Sequence, residues 1–271
     1  MTTFVSFNIN GLRARPHQLT AVRDVLQADI IGLQETKVHD EAFPLSMVQQ
    51  TGYHVEFFGQ KSHYGVAILS KSAPIFVQKG FPFADEDAQR RLIHARFDFD
   101  GREVDVINGY FPQGENRSHE TKFPMKQAFY ADLNLYIDEL KGQGRELIVM
   151  GDMNISPQDV DVGIGEMNAK RWLKNGTCSF LPEEREWYTD LLARDLTDTY
   201  RKFKPHSADE FSWFDYRSKG FEDEPKRGLR IDHILCTDKL ANDCVDAGIS
   251  YDIRGLEKPS DHAPIWAKFG L

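Results

Sequence analysis

Short runs of aliphatic, β-branched and aromatic residues recur along the chain, each bounded by polar residues, Gly or Pro. Runs of this kind read as strands. They predict strands over Phe4–Asn8, Ile30–Gln34, Gly65–Leu69, Ile93–Phe97, Val104–Tyr110, Leu147–Gly151, Arg230–Cys236 and Ala263–Phe269. Elsewhere the apolar period lengthens to that of a helix. After Pro16, the residues Leu19, Val22 and Leu26 share one face. From Pro124 onward Phe129, Leu133, Tyr136, Ile137 and Leu140 do the same, until Gly142 closes the segment. A third helix is predicted after Pro182, carrying Trp187, Leu191 and Leu192. Strands interspersed with helices imply an α/β layered protein, and the pattern leaves open whether it has one sheet or two. No Pro/Ser-rich linker or shift in composition divides the chain, so residues 1–271 are read as one domain.

Polar groups sit where these strands end. FVSFNIN delivers Asn8, IIGLQET delivers Glu35, and VDVINGYFP delivers Tyr110. LIVMGDMN brings Asp152 and Asn154, GLRIDHIL sets Asp232 inside an apolar run, and KPSDHAPIW puts Asp261 and His262 just ahead of one. The two segments IIGLQE and LIVMGD share a plan, an apolar strand closing on an acid. One polar residue at a strand end ordinarily just opens a turn. Repeated recurrence of Asn, Asp, Glu, His and Tyr points instead to a site at one edge of the layers, where distant strand ends meet.

Carboxylates with Asn amides suit a hard cation such as Mg²⁺, and the lack of a Cys/His cluster speaks against zinc. A lone His beside carboxylates suits proton handling or phosphate contact. Asp232 lies in the apolar stretch GLRIDHILC, where an unpaired carboxylate would be costly, so it requires a buried partner. His262 is the candidate, its imidazole oriented and its protonated form stabilised by the acid; Arg230 is the alternative. Ser260 lacks a G-x-S-x-G elbow, and there is no Walker A or G-x-G-x-x-G.

Composition changes the picture in one respect. Hydrophobic residues at 41% and charged residues at 28% are ordinary for a soluble globular protein. The formal net charge of −9, however, opposes nucleic-acid binding, which draws on basic surface. The distribution softens that objection: Arg13, Arg15, Arg90, Arg91, Arg117, Lys122, Lys126, Lys170, Arg171, Lys174, Arg217 and Lys219 lie in or near the segments described above. Cys178, Cys236 and Cys244 form no C-x-x-C pair and read as small buried thiols. With no signal-peptide pattern at the N-terminus and no apolar stretch of membrane-spanning length, the cytoplasm is the expected location, without a membrane partner.

The segments FVSFNINGLRAR, IIGLQETKVHD, GQKSHYGVAIL, INGYFPQGENR, MGDMNISPQD, CSFLPEEREW, FSWFDYRSKGF, GLRID and EKPSDHAPIWA together resemble the exonuclease III family of the DNase-I-like endonuclease/exonuclease/phosphatase superfamily. They run from residue 4 to residue 267. G-D-x-N and S-D-H-x-P mark the superfamily, whereas YFPQGE and FSWFDYRSKG are more specific. The resemblance implies a four-layered α/β sandwich, two packed mixed sheets flanked by helices. It also implies double-stranded DNA as substrate, incised 5′ to abasic sites or trimmed from 3′ ends to leave 3′-hydroxyls, by a Mg²⁺-dependent enzyme with Mn²⁺ as a substitute. A monomer is expected.

Carried over by motif, Glu35 resembles the principal metal ligand, with Asn8 and Asp261 nearby. Asp152 resembles the residue that orients or deprotonates the attacking water, with Asn154 as its companion. Asp232 and His262 resemble the pair supporting the phosphate, with Tyr110 beside it. Trp213 and Phe214, with Leu229 or Ile231, resemble a pocket for a baseless sugar, the plainer reading being that they are core. Arg90, Gln113, Lys122 and Arg217 are the expected phosphate contacts. One position departs from the family pattern: His233 follows GLRID where an apolar residue is usual. The alternatives are a lipid or inositol phosphoesterase of the same superfamily, which would lack FSWFDYRSKG and YFPQGE, and a DNA-binding protein without catalysis, which would not need the full polar set.

Overall fold

The computed structural model describes residues 1–60 and 63–271; Lys61 and Ser62, within GQKSHYGVAIL, lie outside the described residues. The strands in chain order are β1 (Thr2–Asn8), β2 (Ile30–Gln34), β3 (His54–Phe58), β4 (Val66–Ser70), β5 (Phe76–Lys79), β6 (Leu92–Phe99), β7 (Arg102–Tyr110), β8 (Glu146–Asp152), β9 (Leu196–Asp198), β10 (Asp232–Thr237), β11 (Cys244–Ile249) and β12 (Ile265–Phe269). They form two six-stranded sheets, in the orders β11-β12-β1-β2-β4-β3 and β5-β6-β7-β8-β10-β9. Each sheet is antiparallel except for one central parallel pair, β1 with β2 and β7 with β8. The two acid-terminated segments noted in the sequence are the second strands of these two pairs.

Alternation along each strand builds the layers, because successive side chains point to opposite faces. Phe4, Ile30, Ile68, Phe97, Val106, Ile148, Met150 and Ile234 fill the space between the sheets. Val5, Phe7, Ile31 and Leu33 face outward, against Leu19 and Val22 of the helix Pro16–Leu26. Ile107, Leu147, Val149 and Leu235 face outward from the other sheet. They meet Phe129, Leu133 and Ile137 of the helix Lys122–Gly142, and Tyr188 and Leu191 of the helix Pro182–Leu192. Helix, sheet, sheet and helix make the four-layered α/β sandwich.

Most strands start within two residues of the expected position, and two of them start two residues late. The strand expected from Arg230 begins at Asp232, because Arg230 is held back in a buried ion cluster with Asp161 and Asp198. The strand expected from Ala263 begins at Ile265, after Pro264, whose nitrogen has no proton for a ladder. The three cysteines are free and buried. Among the described residues, no helix is long and apolar enough to cross a membrane.

Candidate active site

Two parallel pairs deliver their last residues to the same edge of the sandwich. Asn8 lies opposite Gln34, one residue before Glu35, and Tyr110 lies opposite Asp152. Antiparallel β10 starts at this edge, its first residue Asp232 paired with Asp152. The segment carrying Asp261 and His262 enters β12 beside β1, with Ser260 Oγ donating to the Asn8 carbonyl at 2.6 Å.

Buried Asn8 ties the sheets together there. Its Nδ2 donates to Glu35 Oε1 and to Asp152 Oδ2, at 2.9 Å in each case. Glu35 and Asn154 both take left-handed backbone, with φ of 50° and 54°. Non-glycine residues held there are strained, and such strain clusters at functional sites. The Asn154 backbone N–H donates to Asp152 Oδ1, with 3.1 Å between nitrogen and oxygen, and its side-chain Nδ2 donates to the Phe111 carbonyl at 3.0 Å. His262 lies between two acids, with Nδ1 2.9 Å from Asp232 Oδ2 and Nε2 3.7 Å from Asp152 Oδ2. The partner of Asp232 is therefore His262, and Arg230 is engaged elsewhere. Asp261 is 2.8 Å from Asn10 Nδ2 through one oxygen and 3.1 Å from Trp213 Nε1 through the other.

The electrostatics follow from this crowding. Burial pushes the Asp152 carboxyl up to about 7, helped by Asp232 and Glu35 and opposed by His262 and Asn8. Burial pulls the His262 imidazole down, but Asp232 and Asp152 outweigh it and raise the ring to about 10. Burial would also raise Glu35, yet the ammonium of Lys37, 2.8 Å from Oε2, and the Asn8 amide bring it below its usual value. The Tyr110 phenol is pushed well up by burial and by the charges of Glu35 and Asp152, so it stays protonated. Glu35, Asp152 and His262 each offer a ligand atom within 4.8 Å of the others. Buried carboxylate oxygens around a shared space are the donor set that a hard divalent cation takes.

Residues 5–262 match the model of the Endonuclease/Exonuclease/phosphatase family. The chain belongs to this family. It is 60% identical to exodeoxyribonuclease III of Haemophilus influenzae over 98% of its own length and 99% of that protein. It is 31% identical to an exodeoxyribonuclease of Bacillus subtilis, covering 96% of each chain. An AP endonuclease from Archaeoglobus fulgidus superposes with a TM-score of 0.89 at 35% identity, over 100% of both chains. A 3′ phosphatase from Neisseria bound to product DNA hairpin also gives 0.89, at 36% identity and the same coverage. These relationships put the chain among the DNA-repair nucleases.

Within this member of the family, Asn8, Glu35, Tyr110, Asp152, Asn154, Asp232, Asp261 and His262 all meet at the one edge. The expected substrate contacts are more scattered. Trp213 is half-buried beside Asp261 and bridges to His262 and Leu229, while Leu229 is buried beneath it with Phe180 and Ile231. Phe214 is a correction: it is fully buried among Phe211, Phe221 and Tyr251, with no surface to offer a sugar. Alternation along the chain turns it away from the face that Trp213 lines. Arg90 is half-buried and paired with Asp40, whereas Gln113, Lys122 and Arg217 are exposed, Lys122 against Glu115. His233 points away from the site, as the strand neighbour of Asp232 must. Its Nε2 donates to the Ile155 carbonyl at 2.8 Å, and its Nδ1 accepts from Arg230 at 3.1 Å. Sequence reasoning missed Asn10 and Lys37, one bonded to the other and each to an acid of the site. Their position two residues beyond Asn8 and Glu35 was the available signal.

Proposed function

We infer that this chain hydrolyses phosphodiester bonds in duplex DNA, incising 5′ to abasic sites and trimming 3′ ends to leave 3′-hydroxyls. The observation that carries this reading is the buried Asn8–Glu35–Asp152 bridge set against the Asp232–His262 pair. It is supported by full-length similarity to exodeoxyribonuclease III. Glu35, flanked by Asn8, Asp152 and Asp261, would hold Mg²⁺, or Mn²⁺ in its place, which when bound stabilises charge on the phosphate and the departing 3′-oxygen.

The remaining work belongs to side chains. Asp152, raised to about 7, is a competent acceptor for a proton from the attacking water, and Asn154 fixes the turn that aims it. His262 carries its Nδ1 proton on Asp232 and presents Nε2–H to a non-bridging phosphate oxygen. The protonated phenol of Tyr110 donates to the same group. The indole of Trp213, fixed by Asp261, forms the wall against which a baseless sugar fits and an attached base does not. Gln113, Lys122, Arg217 and Arg90 contact flanking phosphates, Arg90 and Lys122 after exchanging their acidic partners.

Incision of an abasic-site duplex in Mg²⁺, in EDTA and by Asp152→Asn tests the reading. Cleavage is expected only in Mg²⁺, and the variant is expected to lose roughly 10³-fold or more, the scale of a lost acid–base group with its positioning. Robust cleavage in EDTA, or a fully active variant, would overturn it. A phosphatase reading would instead show release of phosphate from inositol phosphates with no DNA incision.

A further inference from the structure

The helix Lys122–Gly142 lies outside the sheet edge that forms the site, yet it carries a fully buried ammonium. Lys126 Nζ donates to Glu184 Oε1 at 2.5 Å, to the Asn154 carbonyl at 2.8 Å and to the Gln113 carbonyl at 3.3 Å, so its three protons have three acceptors. Glu184 is equally buried, and its other oxygen accepts from the amides of Ser179 and Leu181 at 2.8 Å each. One helical turn beyond Lys126, the Tyr130 hydroxyl donates to the Met153 carbonyl at 2.7 Å. Residues four apart share a helix face. That face therefore holds two successive carbonyls of the turn carrying Asp152 and Asn154. The opposite wall is closed as well: Gly114 has φ of 87°, and a Cβ there would come 2.9 Å from Cys178 Sγ and 3.1 Å from Lys126 Cδ.

A buried ion pair is seldom the most stabilising filling for a core, since apolar side chains of similar volume do as well or better. The geometry points to a different reason for this one. Lys126 and Tyr130 are positioning residues that impose the left-handed conformation of Asn154 and fix the Asp152 turn for in-line attack, and Glu184 is the counter-charge that lets Lys126 be buried. The same ammonium ties the loop carrying Gln113 to that turn, linking the rim that meets DNA to the residues that aim water. This inference rests on the hydrolytic reading above.

The test compares wild type, Tyr130→Phe and the charge-free pair Lys126→Met/Glu184→Gln, in which the amide oxygen can still accept from Ser179 and Leu181. Each is assayed for incision of an abasic-site duplex in Mg²⁺ and for thermal unfolding. Folded Lys126→Met/Glu184→Gln is expected to lose kcat by about 10–100-fold, as sub-ångström misplacement at a reaction centre does. Its KM should stay within about twofold, whereas Tyr130→Phe is expected to lose severalfold in kcat. Adding Asn154→Ala to the double variant should cost less than Asn154→Ala costs wild type, because the clamp acts through that turn. Full kcat in the folded double variant, or in Tyr130→Phe should the double variant fail to fold, would overturn the proposal. Absence of incision by wild type would instead count against the hydrolytic reading.

Discussion

At the scale of single residues, charge is buried in two distinct ways. At the active edge, acids are crowded together and one of them, Asp152, is lifted toward neutrality. Behind β10 the opposite holds. Asp161 and Asp198 are buried, which by itself would push their carboxyls up, but the Arg230 guanidinium bonds both and brings them below the usual carboxylate range, Asp198 furthest. A carboxyl depressed in the folded state contributes stability that is present above its unfolded value, about 4, and is lost as pH falls through the folded one. Asp198→Asn, which strands part of the Arg230 charge, should cost about 3–5 kcal/mol at pH 7. Urea unfolding at pH 7 and again near pH 3 should show that difference shrinking, because below about pH 4 the carboxyl takes up a proton in the unfolded wild type while it stays ionised in the folded one. A difference that grows on acidification would mean the cluster does not carry the charge assigned to it.

Elements show how the sheets are brought into contact and which parts of them a sequence can reveal. Gly32 in β2 faces Asn108 of β7 across the interlayer space, and a Cβ on Gly32 would lie 2.7 Å from Asn108 Oδ1. Asn108 cannot easily yield, since its Nδ2 donates to the Leu33 and Ala67 carbonyls at 2.9 Å and its Oδ1 accepts from Gln34. Gly32→Ala should therefore destabilise by about 1–3 kcal/mol, the usual cost of overpacking; an unchanged urea midpoint would show that the sheets can part here freely. The eight strands read from the sequence are the interior ones, apolar because both faces are covered. The four that went unread, β3, β5, β9 and β11, are the outer strands of the two sheets. β3, β5 and β11 are partly exposed and have lost the continuous apolar signature, and β9 is only three residues long. The site was legible for the same reason as the interior strands, because its residues terminate them. What could not be read was pairing across the fold: that Asn8 would bridge two carboxylates, that Phe214 would turn into the core while Trp213 did not, and that Lys126 would be buried. Each depends on contacts between segments far apart in the chain.

For the whole molecule the unresolved tension is between a net charge of −9 and a polyanionic substrate. Ion pairing decides which basic groups are at liberty to meet phosphates. Arg90, Arg117, Lys122, Lys170 and Arg227 are engaged with Asp40, Glu183, Glu115, Glu166 and Asp223, and each must give up a partner to bind DNA. Arg217 and Lys219, exposed in the turn after Trp213, take part in no ion pair among the described residues, and neither do Arg171 and Lys174 on the helix Glu166–Asn175. That helix packs through Ala169 and Trp172 on the cluster holding Leu229 and Trp213, so these cations flank the wall proposed above to receive a baseless sugar. The acidic remainder of the surface repels DNA over roughly a Debye length, about 8 Å at physiological salt, and leaves local contacts to carry binding. The affinity for an uncleavable abasic-site duplex should then fall with log salt at a slope of about −3 or steeper, three or more phosphates being neutralised. Arg217→Ala should flatten that slope by about one. A slope near zero, or one that Arg217→Ala leaves intact, would move the DNA track away from Arg217 and toward the paired cations Arg90 and Lys122.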